Sequence, residues 1–228
     1  MAGRLYISPT APDALLLGLH VDMPLLSGAN RAPRNPVSMI RQRQQGFGLT
    51  TAFWGLTPPW LKVLDHAPHC ARAESLASRD MFREAFGARR CLIPASGVYL
   101  WKPQPRFKQP FLVTRADRGP LLLAGLWCRY HTTLTAHHDS TALITVATNT
   151  LLAPLSDRFP AVIAPADAPA WLDPATPMGM VERMLMPAPL ELLGAFPVSR
   201  RVNDPLDQDW GCAHPTGPML RWTTSQET

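Results

Sequence analysis

Leu121-Leu122-Leu123-Ala124-Gly125-Leu126-Trp127 is the stretch whose reading decides the fold class. It is an unbroken apolar run entered through the turn-forming pair Gly119-Pro120, and a short apolar run bounded by turn formers reads as a strand. Working outward, Phe111 to Thr114, Leu143 to Ala147 and Ala161 to Ile163 have the same character. Helical patterns fall at Met81 to Phe86, where Arg83 and Glu84 face out between apolar positions, and at Val181 to Met186. The polar segment from Arg129 to Thr141, with His131, His137, His138 and Asp139, reads as an exposed loop, and the polar tail after Arg221 as frayed. Twenty-five prolines spread along the chain keep helices short and connections many, which is unlike a helical bundle. There is no internal repeat, low-complexity tract or clear linker, so residues 1–228 read as one α+β domain with several antiparallel strands and a few short helices.

Composition narrows the class further. With 46% hydrophobic and 17% charged residues, the chain can bury enough apolar surface to offset its ordering entropy, which excludes wholesale disorder. No apolar run reaches the ~18 residues that cross a bilayer. The opening Met1-Ala2-Gly3-Arg4-Leu5-Tyr6 lacks the basic and apolar segments of a secretory signal, so the expected compartment is the cytoplasm, at the nucleoid if the source is bacterial. Cys70, Cys91, Cys128 and Cys212 form no CxxC pair and read as thiols, mostly buried. The formal charge of +5 comes mainly from arginine, in groups at Arg31, Arg34, Arg41 and Arg43, at Arg72, Arg79, Arg83, Arg89 and Arg90, and at Arg200 and Arg201. Such groups suit phosphate because the guanidinium fork donates two hydrogen bonds to one anion, but they equally suit a solvated surface.

The sequence has no phosphate-cradling glycine loop, no GxSxG elbow and no HExxH. His66, His69 and Cys70 lie close together, but their spacing matches no common zinc frame and lacks a fourth partner, so no metal or other cofactor is expected. More telling is a series of segments in a fixed order. Met1-Ala2-Gly3-Arg4 resembles a Met-Cys-Gly-Arg opening, and Asn30-Arg31-Ala32-Pro33 an Asn-x-Ala-Pro element. Trp54-Gly55-Leu56-Thr57-Pro58-Pro59-Trp60 resembles Trp-Gly-Leu-x-Pro-x-Trp, and Cys70-Ala71-Arg72-Ala73-Glu74-Ser75 resembles Asn-Ala-Arg-x-Glu-Thr. The longest match runs from Arg90 to Trp101 and resembles a segment ending Phe-Tyr-Glu-Trp; Ala124-Gly125-Leu126-Trp127, Ser156-Asp157-Arg158-Phe159-Pro160, and Pro197-Val198-Ser199 with Val202-Asn203 follow. Together they resemble the SRAP family, the SOS response-associated peptidase or abasic-site processing proteins. Each piece is short, and their order along almost the whole chain makes the resemblance specific.

The resemblance implies twisted antiparallel sheets forming an open barrel with short flanking helices, and a basic groove for single-stranded DNA at a junction with duplex, with no membrane partner. It also implies a cysteine, exposed once Met1 is removed, that traps the ring-opened aldehyde of an abasic site as a thiazolidine, assisted by Asn, Glu and His, and that releases the start of the chain autocatalytically. This chain departs at all four positions: Ala2 replaces the Cys, Cys70 the Asn, Leu100 the Glu and Ser156 the His. Thiazolidine closure needs an amine and a thiol on adjacent carbons of one residue, and Ala2 has no thiol. The expected function is therefore DNA binding at abasic sites with crosslinking impaired or lost, and the DNA ligands expected are Arg4, Asn30, Pro33, Trp60, Arg72 and Arg158. For Trp54 a core position is expected. Arg158 could instead form a local ion pair with Asp157, and Arg4 or Arg72 a structural pair with a carboxylate. Two alternatives remain open. One is a slow crosslinker or lyase using the Ala2 α-amine, with or without the Cys70 thiol. The other is reuse of the fold as a non-catalytic interaction module.

Overall fold

The quoted run opens β9 (Leu121–His131), one wall of a barrel in a computed structural model that describes residues 3–9, 25–44, 46–133 and 135–222. The other strands are β1 (Leu5–Ile7), β2 (Gly28–Arg31), β3 (Pro36–Gln42), β4 (Phe47–Trp54), β5 (Cys70–Arg72), β6 (Arg90–Ala95), β7 (Gly97–Pro103), β8 (Lys108–Arg115), β10 (His137–Ala147), β11 (Arg158–Pro160), β12 (Leu193–Pro197) and β13 (Leu220–Arg221). Among the described residues three short α-helices join them: α1 (Asp80–Ala88), α2 (Ala168–Leu172) and α3 (Met178–Arg183). The order β10-β4-β3-β6-β9 closes on itself because β9 also pairs with β10, so the barrel is shut where an open one was expected. All its pairings are antiparallel except β4 with β10. A second sheet, ordered β13-β12-β8-β7-β1-β2, packs beside it.

The alternation of β9 shows how the layers are built. Leu121 and Leu123 share a buried cluster with Leu5, Val98, Leu100 and Val113 of the second sheet, whereas Leu122, Ala124, Leu126 and Cys128 pack with Phe82, Ala85, Phe86 and Trp171 of the helices. A strand covered on both faces has no polar side to expose, which is why the run is continuously apolar. Gly125 marks a close approach: a Cβ there would lie 2.9 Å from Cys91 Sγ and 3.1 Å from the Ala142 carbonyl. A third cluster, Tyr99, Leu112, Phe196, Val198, Val202 and Cys212, covers the far face of the second sheet with the chain's later segments.

Several sequence expectations need correction. The expected loop over Arg129 to Thr141 is mostly a long hairpin, His131 pairing with His137 and Arg129 with Asp139. Its polar residues are tolerated because Asp139, buried to 8% exposure, sits between Arg129 at 2.8 Å and Arg41 at 3.2 Å. The strand expected at Ala161 to Ile163 falls one step earlier, at β11, leaving only an isolated bridge at Val162. The helix expected at Val181 to Met186 starts at Met178 and ends at Arg183. Arg90 is no surface cation. It is 2% exposed, donates to the carbonyls of Phe86, Gly87, Trp171 and Asp173, and thereby joins the ends of α1 and α2. Other members of the sequence clusters are neutralised locally, as in Arg34 with Asp65, Arg83 with Asp80 and Arg89 with Glu84. The tail beyond Trp222 lies outside the described residues. Among the described residues no helix is long and apolar enough to cross a membrane.

Candidate functional site

A cavity of about 680 Å³ opens where β7, the start of β8 and the segments at 153–157 and 203 meet. That is within the usual range for small-ligand sites. Its lining includes Arg4, Leu100, Trp101, Lys108, Ser156 and Asn203. Three positions singled out in the sequence, Arg4, Leu100 and Ser156, therefore share one wall although 96 and 56 positions separate them in turn.

Arg4 follows Gly3 into β1, and its guanidinium is held by neutral acceptors. Nη1 donates to Asn30 Oδ1 at 2.8 Å and to the Val202 carbonyl at 2.7 Å, and Nη2 to the Asn203 carbonyl at 3.2 Å. Burial lowers its pKa, but a guanidinium remains a cation at neutral pH. Among the described residues it makes no ion pair within 4 Å, and the Asp204 carboxylate, acting from farther off, offsets only part of the effect of burial. Trp101 stands beside it, 6.0 Å from ring centroid to the guanidinium carbon, and donates from Nε1 to Asn203 Oδ1 at 2.7 Å. Asn30 on β2 is fully buried. Its Nδ2 donates to the carbonyls of Val202, Asp204 and Asp207 at 3.2, 2.8 and 3.0 Å, so the amide is fully engaged and its part is to hold Arg4 and the 202–207 segment.

The altered positions leave the cavity without proton-handling groups at those points. Leu100 is 1% exposed and belongs to the apolar cluster of the two sheets. Ser156 Oγ donates to the Arg158 carbonyl at 2.9 Å and accepts from the Arg158 N–H at 3.2 Å, which ties its hydroxyl into a turn. Cys70 does not line the cavity. It packs against the same cluster as Leu100 and Leu155, and burial pushes its thiol up to about 12, so the thiolate required for nucleophilic attack is scarce at neutral pH. The neighbouring His69 is lowered by burial, and its carbonyl accepts from Trp54 Nε1 at 2.8 Å. Trp54 is in the core, as expected. Ala2 lies outside the described residues.

The remaining candidates gather elsewhere or stand apart. Arg72 on β5 is exposed and pairs in register with Thr145 of β10. Arg158 reaches the same residue, with Nε 3.2 Å from Thr145 Oγ1, and pairs with Glu74 at 2.8 Å. The carboxylate that holds Arg158 is thus Glu74, two residues after Arg72, and Asp157 is not its ion-pair partner. Glu74 is lowered chiefly by that hydrogen bond. Pro33 is half-buried in the turn before β3. Trp60, 54% exposed, sits in the loop after β4. Neither lines the cavity. Trp101, Lys108 and Asn203 were not expected as site residues; Trp101 and Asn203 lie in the matched segments, which was the available signal. Among the described residues, no group of three or more His, Cys, Asp or Glu side chains is placed to hold a metal ion.

A barrel flanked by a second sheet, with this cavity bounded by Arg4, β7 and the 153–157 segment, defines the class: the chain belongs to the SOS response associated peptidase (SRAP) family, which it matches over residues 1–205. Among particular relatives, it is 31% identical over 180 residues to the abasic site processing protein YoqW of Bacillus subtilis, covering 77% of this chain and 80% of the relative. It is 30% identical over 183 residues to the abasic site processing protein YedK of Escherichia coli, covering 75% and 79%. The fold matches a Bacteroides thetaiotaomicron protein with a TM-score of 0.82 at 21% identity, covering 93% of this chain and 98% of the other. A Bordetella bronchiseptica protein matches with a TM-score of 0.74 at 23% identity, over 86% and 99%.

Proposed function

We propose that this chain binds single-stranded or junction DNA at abasic sites in a DNA-damage response, and that it has lost the cysteine-dependent crosslinking of its family. The observation that carries the reading is Arg4, a cation satisfied only by neutral acceptors and facing a cavity whose walls include Leu100 and Ser156. Its relatives are abasic site processing proteins. Arg4 and Lys108 supply positive charge for a phosphate, Trp101 an aromatic face for a sugar or base, and Asn203 a polar group held in place by Trp101. Exposed Arg72 adds positive charge beside β10, whereas the charge of Arg158 is matched by Glu74. Binding should therefore be strongly salt-dependent. Positioned proton transfer is worth roughly 10²- to 10⁴-fold, and Leu100 supplies none.

The test is fluorescence anisotropy with single strands that carry or lack an abasic site, at two salt concentrations, followed by denaturing gels of the same mixtures. The expected result is salt-sensitive binding that favours the lesion, with no denaturant-resistant band. Absence of binding at low salt removes the DNA reading. A heat-stable band that survives Cys70→Ser and disappears when the α-amine is blocked overturns the loss of crosslinking in favour of amine chemistry at Ala2.

A further inference from the structure

The hairpin of β9 and β10 carries a feature that the cavity does not use. His131 and His137 are direct cross-strand partners at its tip. Just beyond them the Thr132 N–H donates to the Ala136 carbonyl at 2.9 Å. Ladder hydrogen bonds alternate along an antiparallel pair, so His131 and His137 occupy the non-hydrogen-bonded position, where side chains approach most closely. Both are exposed. Their ring centroids are 5.7 Å apart at an interplanar angle of 48°. Two imidazoles sharing one tetrahedral ion at Zn–N distances of about 2.0–2.1 Å need centroids roughly 5 Å apart, so a small rotation of either side chain suffices. The turn is braced by Thr133 Oγ1, which accepts from the Ala136 N–H at 2.9 Å. On the opposite face of the hairpin, His138 stacks on Tyr130 at 5.3 Å and meets Phe53 edge-on at 5.6 Å, which fixes the register of the pair.

We propose that His131 and His137 form a two-imidazole chelate for a divalent transition ion of the Zn²⁺, Ni²⁺ and Cu²⁺ kind, with water in the remaining positions. Imidazole nitrogen suits these ions, whereas Mg²⁺ and Ca²⁺ prefer oxygen. The ion joins the last cross-strand pair before the turn and, by binding the folded form, stabilises the hairpin. With two protein ligands the site is open and exchanges its ion readily, unlike a closed four-ligand structural zinc. It is independent of the DNA reading.

The experiment uses the full chain without an oligohistidine tag, titrated calorimetrically with ZnCl₂ and with NiCl₂ and melted with and without each salt, MgCl₂ serving as control. The expected result is one ion per chain and a raised Tm with zinc or nickel but not magnesium. Both effects should disappear in His131→Ala and in His137→Ala, and persist in His138→Ala, whose ring lies on the other face. The variants should melt like the parent in the absence of metal, because the two rings are exposed. No uptake by the parent, uptake that survives the double variant, one ion per two chains, or equal loss in His138→Ala would each overturn the proposal.

Discussion

Asn30→Ala isolates the device that positions Arg4. The side chain is fully buried and makes four hydrogen bonds, one from Arg4 and three to the 202–207 carbonyls. Truncation affects those partners unequally. The Val202 carbonyl keeps Arg4 Nη1 at 2.7 Å and loses least. The Asp204 and Asp207 carbonyls lose a donor at 2.8 and 3.0 Å, but are partly reached by water. Arg4 loses a charge-assisted bond. A neutral bond is worth about 1 kcal/mol net and a charged one about 1.5–3 kcal/mol, so the expected destabilisation is about 2–4 kcal/mol. Urea unfolding at neutral pH measures it, with the m-value unchanged if the rest of the fold is intact. Limited proteolysis should also show new cleavage within residues 203–209. The decisive comparison is the double-mutant cycle with Arg4→Ala, because residues in one hydrogen-bond network couple by about 0.5–3 kcal/mol. A loss below about 0.5 kcal/mol, which is the ordinary surface value, or strict additivity in the cycle, would refute this account of how Arg4 is held.

Three further outcomes follow from the same geometry. Gly125→Ala places a Cβ against Cys91 Sγ and the Ala142 carbonyl, and overpacking of this kind should cost about 1–3 kcal/mol by urea melt; an unchanged midpoint would show that the barrel yields there. Cys70, with its thiol raised by burial to about 12, should react with iodoacetamide at pH 8 far more slowly than in urea, as read by mass spectrometry of labelled peptides; rapid native labelling would restore it as a nucleophile. Glu74 is depressed by its Arg158 hydrogen bond, so its contribution is present above its unfolded pKa and fades as pH falls through the lower folded value. The carboxylate is 61% exposed, so Glu74→Gln should cost no more than about 1 kcal/mol at pH 7. The two proteins should converge in paired melts as pH falls below the depressed folded value, and a difference that persists in acid would show that the effect is not the ion pair.

The elements legible in the sequence are those whose pattern is local. β9 opens as an apolar run because both its faces are covered, and α1 shows its buried side in Phe82, Ala85 and Phe86. The outer arm of the hairpin reads as a loop because its charges look solvated: Asp139 is paired across the strands with Arg129 and also with Arg41, almost a hundred positions away, and neither pairing is visible in the local pattern. Arg90 was misplaced for a similar reason: its acceptors are helix-end carbonyls, which have no side-chain signature. At the site, the ordered motifs pointed to Arg4, Leu100 and Ser156, which share the cavity. They could not show that Asn30 is spent on backbone carbonyls 172 to 177 positions later. Lys108 lies outside every matched segment, and only the pairing of β7 with β8, which sets Pro103 against Lys108, brings it to the cavity.

The long reach of Asn30 and Arg4 has a consequence for the order in which the molecule is made. Domains emerge from the ribosome N-terminal end first, and the barrel strands β3, β4, β6, β9 and β10 are all synthesised by residue 147. The acceptors for Arg4, at Val202 and Asn203, arrive more than fifty residues later. A nascent chain halted near residue 200 would possess the barrel but leave Arg4 with Asn30 alone, without its two carbonyl acceptors. The full anchoring of Arg4 is thus among the last features to assemble, and a translation product interrupted late keeps the barrel without it.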